Sequence, residues 1–180
     1  MGWMVSGLVW GMVGGAGAME LTSADLPDGG TFDQKFIFKG FGCDGGNISP
    51  ALAWKGAPPE TKSFALLVHD PNAPTGGAGW WHWVVYDLPA SVTALPQGAG
   101  KGDGSAMVPG AKQSGTDFGA PGWGGPCPPV GHGQHPYHFT LHALKVEKLE
   151  VPSGATASLV GYLVNANSLA HARLTGHYGR

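Results

Sequence analysis

The sequence predicts a mainly β protein, an antiparallel β-sandwich with one helix packed at its edge. Three observations carry this reading. Glycine (32 residues) and proline (15 residues) cut the chain into short segments; the apolar segments between the cuts have the length and alternation of strands; and a helical repeat of apolar residues occurs only near the C-terminus. Seven Trp, seven Phe and four Tyr assign the Gly/Pro content to turns, because disordered chains are poor in aromatics. With 180 residues, one domain with a substantial core is expected.

Residues 1–18 differ from the rest. Trp3 to Val13 is apolar but too short for a bilayer span, which takes about 20 residues. Ala16, Gly17 and Ala18 have the small-x-small form of a signal peptidase site, leaving Met19 as the first mature residue. No Lys or Arg precedes Lys35, so the positive leader of a signal peptide is missing. The segment reads as a signal peptide of a periplasmic or secreted protein, the alternative being an apolar tail on a cytoplasmic one. Residues 19–180 form the domain. No stable membrane insertion is expected.

Within the domain, MELTSADL and TFDQKFIFKG read as short strands, with Phe32, Phe36 and Phe38 on one face. Gly40 to Pro50 is a loop dense in turn formers, and ALAW is a brief strand. Ser63 to Asp70 is almost continuously apolar, as in a central strand covered on both faces. After the loop PNAPTGGAG, Trp80 to Leu88 forms a strand with Trp80, His82, Val84, Tyr86 and Leu88 on one side and Trp81, Trp83, Val85 and Asp87 on the other. Pro89 to Gln134 is mostly irregular, with a short strand around Met107 to Gln113, and is read as functional loops. It leads into a long strand beginning HPYHF. Ser153 to Thr175 is the predicted helix, on the spacing of Leu159, Leu163, Ala166 and Leu169 or Ala170, with Gly176 as its stop.

Four side chains suggest chemistry. Asp70 ends one strand, His82 begins the next, and His135 and Tyr137 lie two apart on a third, pointing to one face. If these strand ends meet, they make a hollow with two imidazoles, a phenol and a carboxylate, walled by Trp80 and the prolines Pro74 and Pro128. Apolar walls with a few convergent polar groups are the mark of a small-ligand pocket. Imidazoles and a phenol donate hydrogen bonds to an anion, and Asp70 would accept from an imidazole or pair with a ligand amine, so a phosphorylated head group fits. A net charge of -2 with 12% charged residues gives no electrostatic footprint for nucleic acid.

Other chemistries are poorly supplied. His132, His135, His138 and His142 resemble metal-ligand material, but His138 and His142 have the opposite strand parity to His135 and no metal motif is present, so neither metal nor cofactor is expected. Neither Ser105 nor Ser114 lies in a nucleophile elbow. Cys43 and Cys127 lack the spacing of a redox or zinc site; they are a disulfide pair if the protein is exported and free thiols if it is not.

The segments CDGGNISPALAWKGAPPETKSFALLVHDPNAPTGGAGWWHWVVYDLPA, TDFGAPGWGGPCPPVGHGQHPYHFTLHALKVEKLEV and LVGYLVNANSLAHARLTGHYGR resemble the bacterial and archaeal branch of the phosphatidylethanolamine-binding protein family, whose eukaryotic relatives include Raf kinase inhibitor protein. DPNAP, WHWVV, GPCPP and HPYHF in this order carry the resemblance. It implies a two-sheet Greek-key sandwich with a small anion pocket. It places the family's pocket aspartate at Asp70, its second loop proline at Pro74, its pocket histidine at His82 and its His-x-Tyr pair at His135 and Tyr137. It also implies a cis bond between Ala73 and Pro74. Asn72 stands where the family usually has aspartate and Pro136 where Arg is common, which bears on ligand preference.

The function read from this is a non-enzymatic binding or regulatory protein for a small phosphorylated or anionic ligand. The alternative is a protease or kinase inhibitor acting through a loop between Pro89 and Gln134, which a protease panel would reveal by stoichiometric loss of activity. A hydrolase using His82 or His135 as base is the third. The oligomeric state is open, a homodimer being one arrangement.

Overall fold

The computed structural model describes residues 18–180; the proposed leader, Ala18 apart, lies outside the described residues. The strands are β1 (Glu20–Thr22), β2 (Lys39–Gly40), β3 (Cys43–Asp44), β4 (Leu52–Lys55), β5 (Ser63–Asp70), β6 (Trp80–Pro89), β7 (Ala94–Leu95), β8 (Lys112–Gln113), β9 (His135–Leu144) and β10 (Ser168–Tyr178), with one α-helix, α1 (Ala157–Asn167), between the last two strands. An antiparallel sheet in the order β10, β9, β5, β6, β8 faces a smaller one in the order β1, β4, β7, and β2 pairs with β3 as a separate ribbon. The order β9, β5, β6, β8 is that of a Greek key, the fourth strand returning beside the first.

Both faces of the large sheet are covered over much of its length, which is why β5 reads as an unbroken apolar run. One face meets the small sheet in a core containing Leu52, Trp54, Phe64, Leu66, Val68, Trp83, Val85, Tyr137 and Phe139. The other packs Ala65, Leu67, Val84 and Leu144 against Val160 and Val164 of α1.

Four expectations are corrected. First, β6 does not keep period two. Its pairing with β5 shifts between Val68–Trp83 and His69–Trp81, leaving His82 as an extra residue, and again between Phe64–Leu88 and Leu66–Val85. The second bulge is at Asp87, whose φ is 57° and whose carboxylate accepts from Leu149 N at 2.9 Å. The bulges put His82 with Trp83, Val85 and Leu88, while Trp81, Val84 and Tyr86 face the helix; re-aiming a side chain in this way is a common effect of a bulge.

Second, the helix covers only Ala157–Asn167, with the Thr156 side chain accepting from Leu159 N. Its buried face is Ala157, Val160, Gly161 and Val164, one residue away from the predicted stripe; Leu159 is exposed. Ser168 onward is strand β10, paired with β9 from Ser168–Leu144 to Tyr178–His135. Gly176 is therefore no helix stop: a Cβ there would lie 2.5 Å from the Phe32 ring and 2.7 Å from Leu26, so glycine lets the strand approach the core.

Third, the TFDQKFIFKG strand is a 3-10 turn, Gln34–Phe36, because the Asp33 side chain accepts from Lys35 N and caps it; Phe32 and Phe36 are buried and Phe38 half-buried. The strand expected around Met107 is reduced to Lys112–Gln113. Fourth, every described peptide bond is trans, Ala73–Pro74 included. Thr75 N donates to Ala73 O at 2.8 Å, closing a three-residue turn on Pro74 that the fixed φ of a trans proline suits.

Candidate functional site

The end of β5 and the starts of β6 and β9 lie at the same end of the large sheet, because β5 runs antiparallel to both neighbours. Asp70 pairs with Trp80, and the β5–β9 register, reaching His69–His138, brings Tyr137 opposite Asp70 on the same face. A hollow of about 260 Å³ opens there, lined by Asp70, Pro74, Trp80, His82, Pro128, His135 and Tyr137 together with Phe41, Phe118 and Pro129 among others. All seven side chains singled out in the sequence thus meet around one cavity.

The polar groups are held in a defined way. Asp70 accepts from Asn72 N at 2.8 Å through one oxygen and from His135 Nδ1 at 2.7 Å through the other. A carboxylate only accepts, so the proton sits on His135 Nδ1. His135 Nε2 lies 2.7 Å from Nδ1 of the exposed His132. Both nitrogens of His135 and both oxygens of Asp70 are therefore occupied, and this buried pair orients the pocket wall.

His82 is the opposite case. Its Nδ1 lies 2.6 Å from Gly124 O and, since a carbonyl only accepts, carries the proton; Gly124 N returns a bond to His82 O at 2.9 Å. Nε2 has no protein partner among the described residues. Burial pushes the His82 pKa down to about 4, against smaller opposing effects of Gly124 O and Asp70. The ring is thus neutral at physiological pH, with an acceptor nitrogen left over. Tyr137 supplies the complement: its side chain is buried and its hydroxyl has no partner among the described residues, while burial and the nearby Asp70 charge hold its pKa above the ordinary value of 10. The His82 and Tyr137 rings meet edge to face at 5.0 Å.

Of the loop part of the rim, Pro128 is legible in the sequence, but Phe41, Phe118 and Pro129 are not. Phe118 packs against Trp80 and His82, and Gly124 passes so close beneath it that a Cβ would overlap its ring. Phe41 stands at the mouth, tied from behind by the disulfide between Cys43 and Cys127, whose Cα atoms are 6.1 Å apart. Arg180 completes the tie, donating to Pro128 O at 2.6 Å, Gly42 O at 3.0 Å and Phe41 O at 3.1 Å. Besides Trp80, His82 and Pro128, Cys43 and Cys127 are legible by their even number; an arginine at position 180 carries no local signal. Among the described residues no His, Cys, Asp and Glu grouping can hold a metal ion, and no helix is long and apolar enough to cross a membrane.

Comparison with known proteins gives a consistent picture. The family profile described as phosphatidylethanolamine-binding protein matches residues 22–179. The UPF0098 protein YbcL of Escherichia coli is 50% identical over 163 residues, covering 91% of this chain and 88% of that protein. The UPF0098 protein YbhB of the same organism is 49% identical over 160 residues, covering 89% and 99%. The crystal structure of E. coli YbcL, described as a new member of the mammalian PEBP family, matches with a TM-score of 0.87 at 49% identity, over 90% of this chain and 98% of that one.

Proposed function

Because the chain belongs to the phosphatidylethanolamine-binding protein family, we propose that it is a non-enzymatic binding protein whose hollow takes a small phosphorylated or other anionic head group. The observation that carries this reading is the buried, unpartnered Tyr137 hydroxyl facing the same cavity as the unoccupied nitrogen of a neutral His82. A buried hydroxyl without a partner is costly, and a ligand oxygen relieves that cost. Asp70 keeps its negative charge beside the hollow, where it acts on both Tyr137 and His82, which favours a ligand that brings a proton or an amine along with its anionic group.

The tautomer of His82 refines the ligand. Nε2 accepts, so the ligand brings a proton to it, as a singly protonated phosphate does, or His82 takes one up on binding. In either case binding consumes a proton and strengthens as pH falls. A few polar contacts, less the cost of association, correspond to millimolar to micromolar affinity.

The test is an amide-detected NMR titration with inorganic phosphate and with phosphoethanolamine. Signals of Trp80, His82 and Tyr137 should shift, more tightly at pH 6 than at pH 8, and His82→Ala or Tyr137→Phe should weaken binding by about tenfold or more. Unchanged titrations in both variants overturn the reading. A stronger response to phosphoethanolamine than to phosphate assigns the amine a place in the site.

The same reading places the protein outside the cytoplasm, supported by the disulfide, a bond type favoured by oxidising compartments. N-terminal sequencing of protein from its native host should then begin at Met19; an intact Met1 or Gly2 end contradicts export.

A further inference from the structure

The large sheet carries a second hollow, on the face opposite the first. Side chains alternate along β9, so while Tyr137 and Phe139 point to the core, His138, Thr140 and His142 point the other way. The register sets their neighbours. His142 lies opposite His171 of β10, Thr140 opposite Arg173, and His138 opposite both Thr175 of β10 and His69 of β5. With Leu67, Trp81 and Asn165 these side chains line a cavity of about 240 Å³.

Four imidazoles and a guanidinium thus share one hollow whose lining contains no carboxylate. Like charges placed opposite one another across strands are destabilising, so this arrangement is unfavourable whenever the histidines are protonated and nothing negative sits among them. The groups are also held in place. His142 Nδ1 is 3.0 Å from Ser168 Oγ, His138 Nδ1 is 3.0 Å from Thr175 Oγ1 and His69 Nε2 is 3.0 Å from Ala78 O. Each ring keeps a second nitrogen without a protein partner among the described residues. Arg173 donates through Nε to Thr140 Oγ1 at 3.2 Å, which leaves its two terminal nitrogens as a fork, and no carboxylate of the described residues forms an ion pair with it.

We propose that this histidine-lined hollow is a second, independent binding site, for a small oxyanion such as phosphate or sulfate. A planar guanidinium fork surrounded by imidazoles, whose free nitrogens donate once the rings are protonated, matches the geometry of a tetrahedral oxyanion. Apart from the lining, the charged groups near it are His177 of β10, which acts on His138, and Asp70, which acts on it from the far face; Asp117 accepts from Trp81 N at the rim. The helix contributes no charged side chain, and two of its last carbonyls are taken, Asn165 O by Ser168 N and Asn167 O by Lys145 N. Without an anion, burial followed by His171 and Arg173 pushes the His142 pKa down to about 4, and burial and Arg173 lower that of His138. A bound anion reverses these effects, so binding takes up protons and strengthens on acidification.

The site is read from histidine ring signals by NMR, in the full chain, during titration with inorganic phosphate and with sulfate. The rings of His138, His142 and His171 should respond, with an affinity about tenfold higher at pH 6 than at pH 8. The response should persist in His82→Ala, which disables the first hollow, and vanish in Arg173→Gln, an exposed position where folding is spared. Ring signals that stay still in tens of millimolar phosphate overturn the proposal, as does a response that Arg173→Gln leaves intact. A response to Zn²⁺ but not to phosphate also overturns it. The first hollow is reported separately by Trp80 and Tyr137, so failure of one site is not failure of the other.

Discussion

At the scale of single residues, two buried histidines tie stability to pH. His82 and His142 both have pKa values near 4 in the folded protein, against about 6.5 in the unfolded chain. The unfolded state therefore binds more protons between those values, and stability falls as pH drops from 6.5 towards 4. Each contributes up to roughly 3 kcal/mol to this loss. Urea denaturation at pH 7 and pH 4.5 should show a marked fall in midpoint, and His142→Gln should flatten it. The identities of the pocket side chains were legible in the sequence because strand ends and parity place Asp70, His135 and Tyr137. Their protonation was not. The acceptor role of His82 comes from Gly124 O, 42 residues away, and the saturation of His135 comes from His132, a residue whose side chain has meaning only once the loop before β9 has folded back.

At the scale of elements, β5, the start of β9 and the return of β6 could be read from apolar runs, whereas β10 was hidden. Its sequence, SLAHARLTGHY, places small and polar residues where both helix and strand patterns fit, and pairing with β9 decides the matter. Bulges are equally silent: an extra residue in a ladder shows no sign in hydropathy, yet the one at His82 determines which hollow that ring enters. Gly176 illustrates how a strand's needs replace a helix's. Gly176→Ala should destabilise the protein by about 1 to 3 kcal/mol through overpacking against Phe32 and Leu26, measurable as a lower urea midpoint. An unchanged midpoint would mean that both side chains move aside freely.

At the scale of the whole molecule, the disulfide and Arg180 tie the β2–β3 ribbon to the loop before β9 and to the end of the chain. Cys43 and Cys127 are 84 residues apart in sequence, and closing a loop of that length contributes about 4.5 kcal/mol in the chain-entropy view. The stabilisation is placed behind the mouth of the first hollow, where it ties β3 to the loop before β9. A rigid sheet with a pinned rim is what a preformed pocket requires.

The alternation of β9 has one more effect. A pleated strand is a single residue thick, and its odd and even positions serve opposite sides of the molecule. Sliding β9 by one place against β5 so that His138 takes the place of Tyr137 would bring an imidazole where the phenol belongs and turn the phenol to the opposite face, across from His177. Single-residue insertions or deletions within β9 thus threaten both chambers together, whereas changes of two residues preserve the alternation.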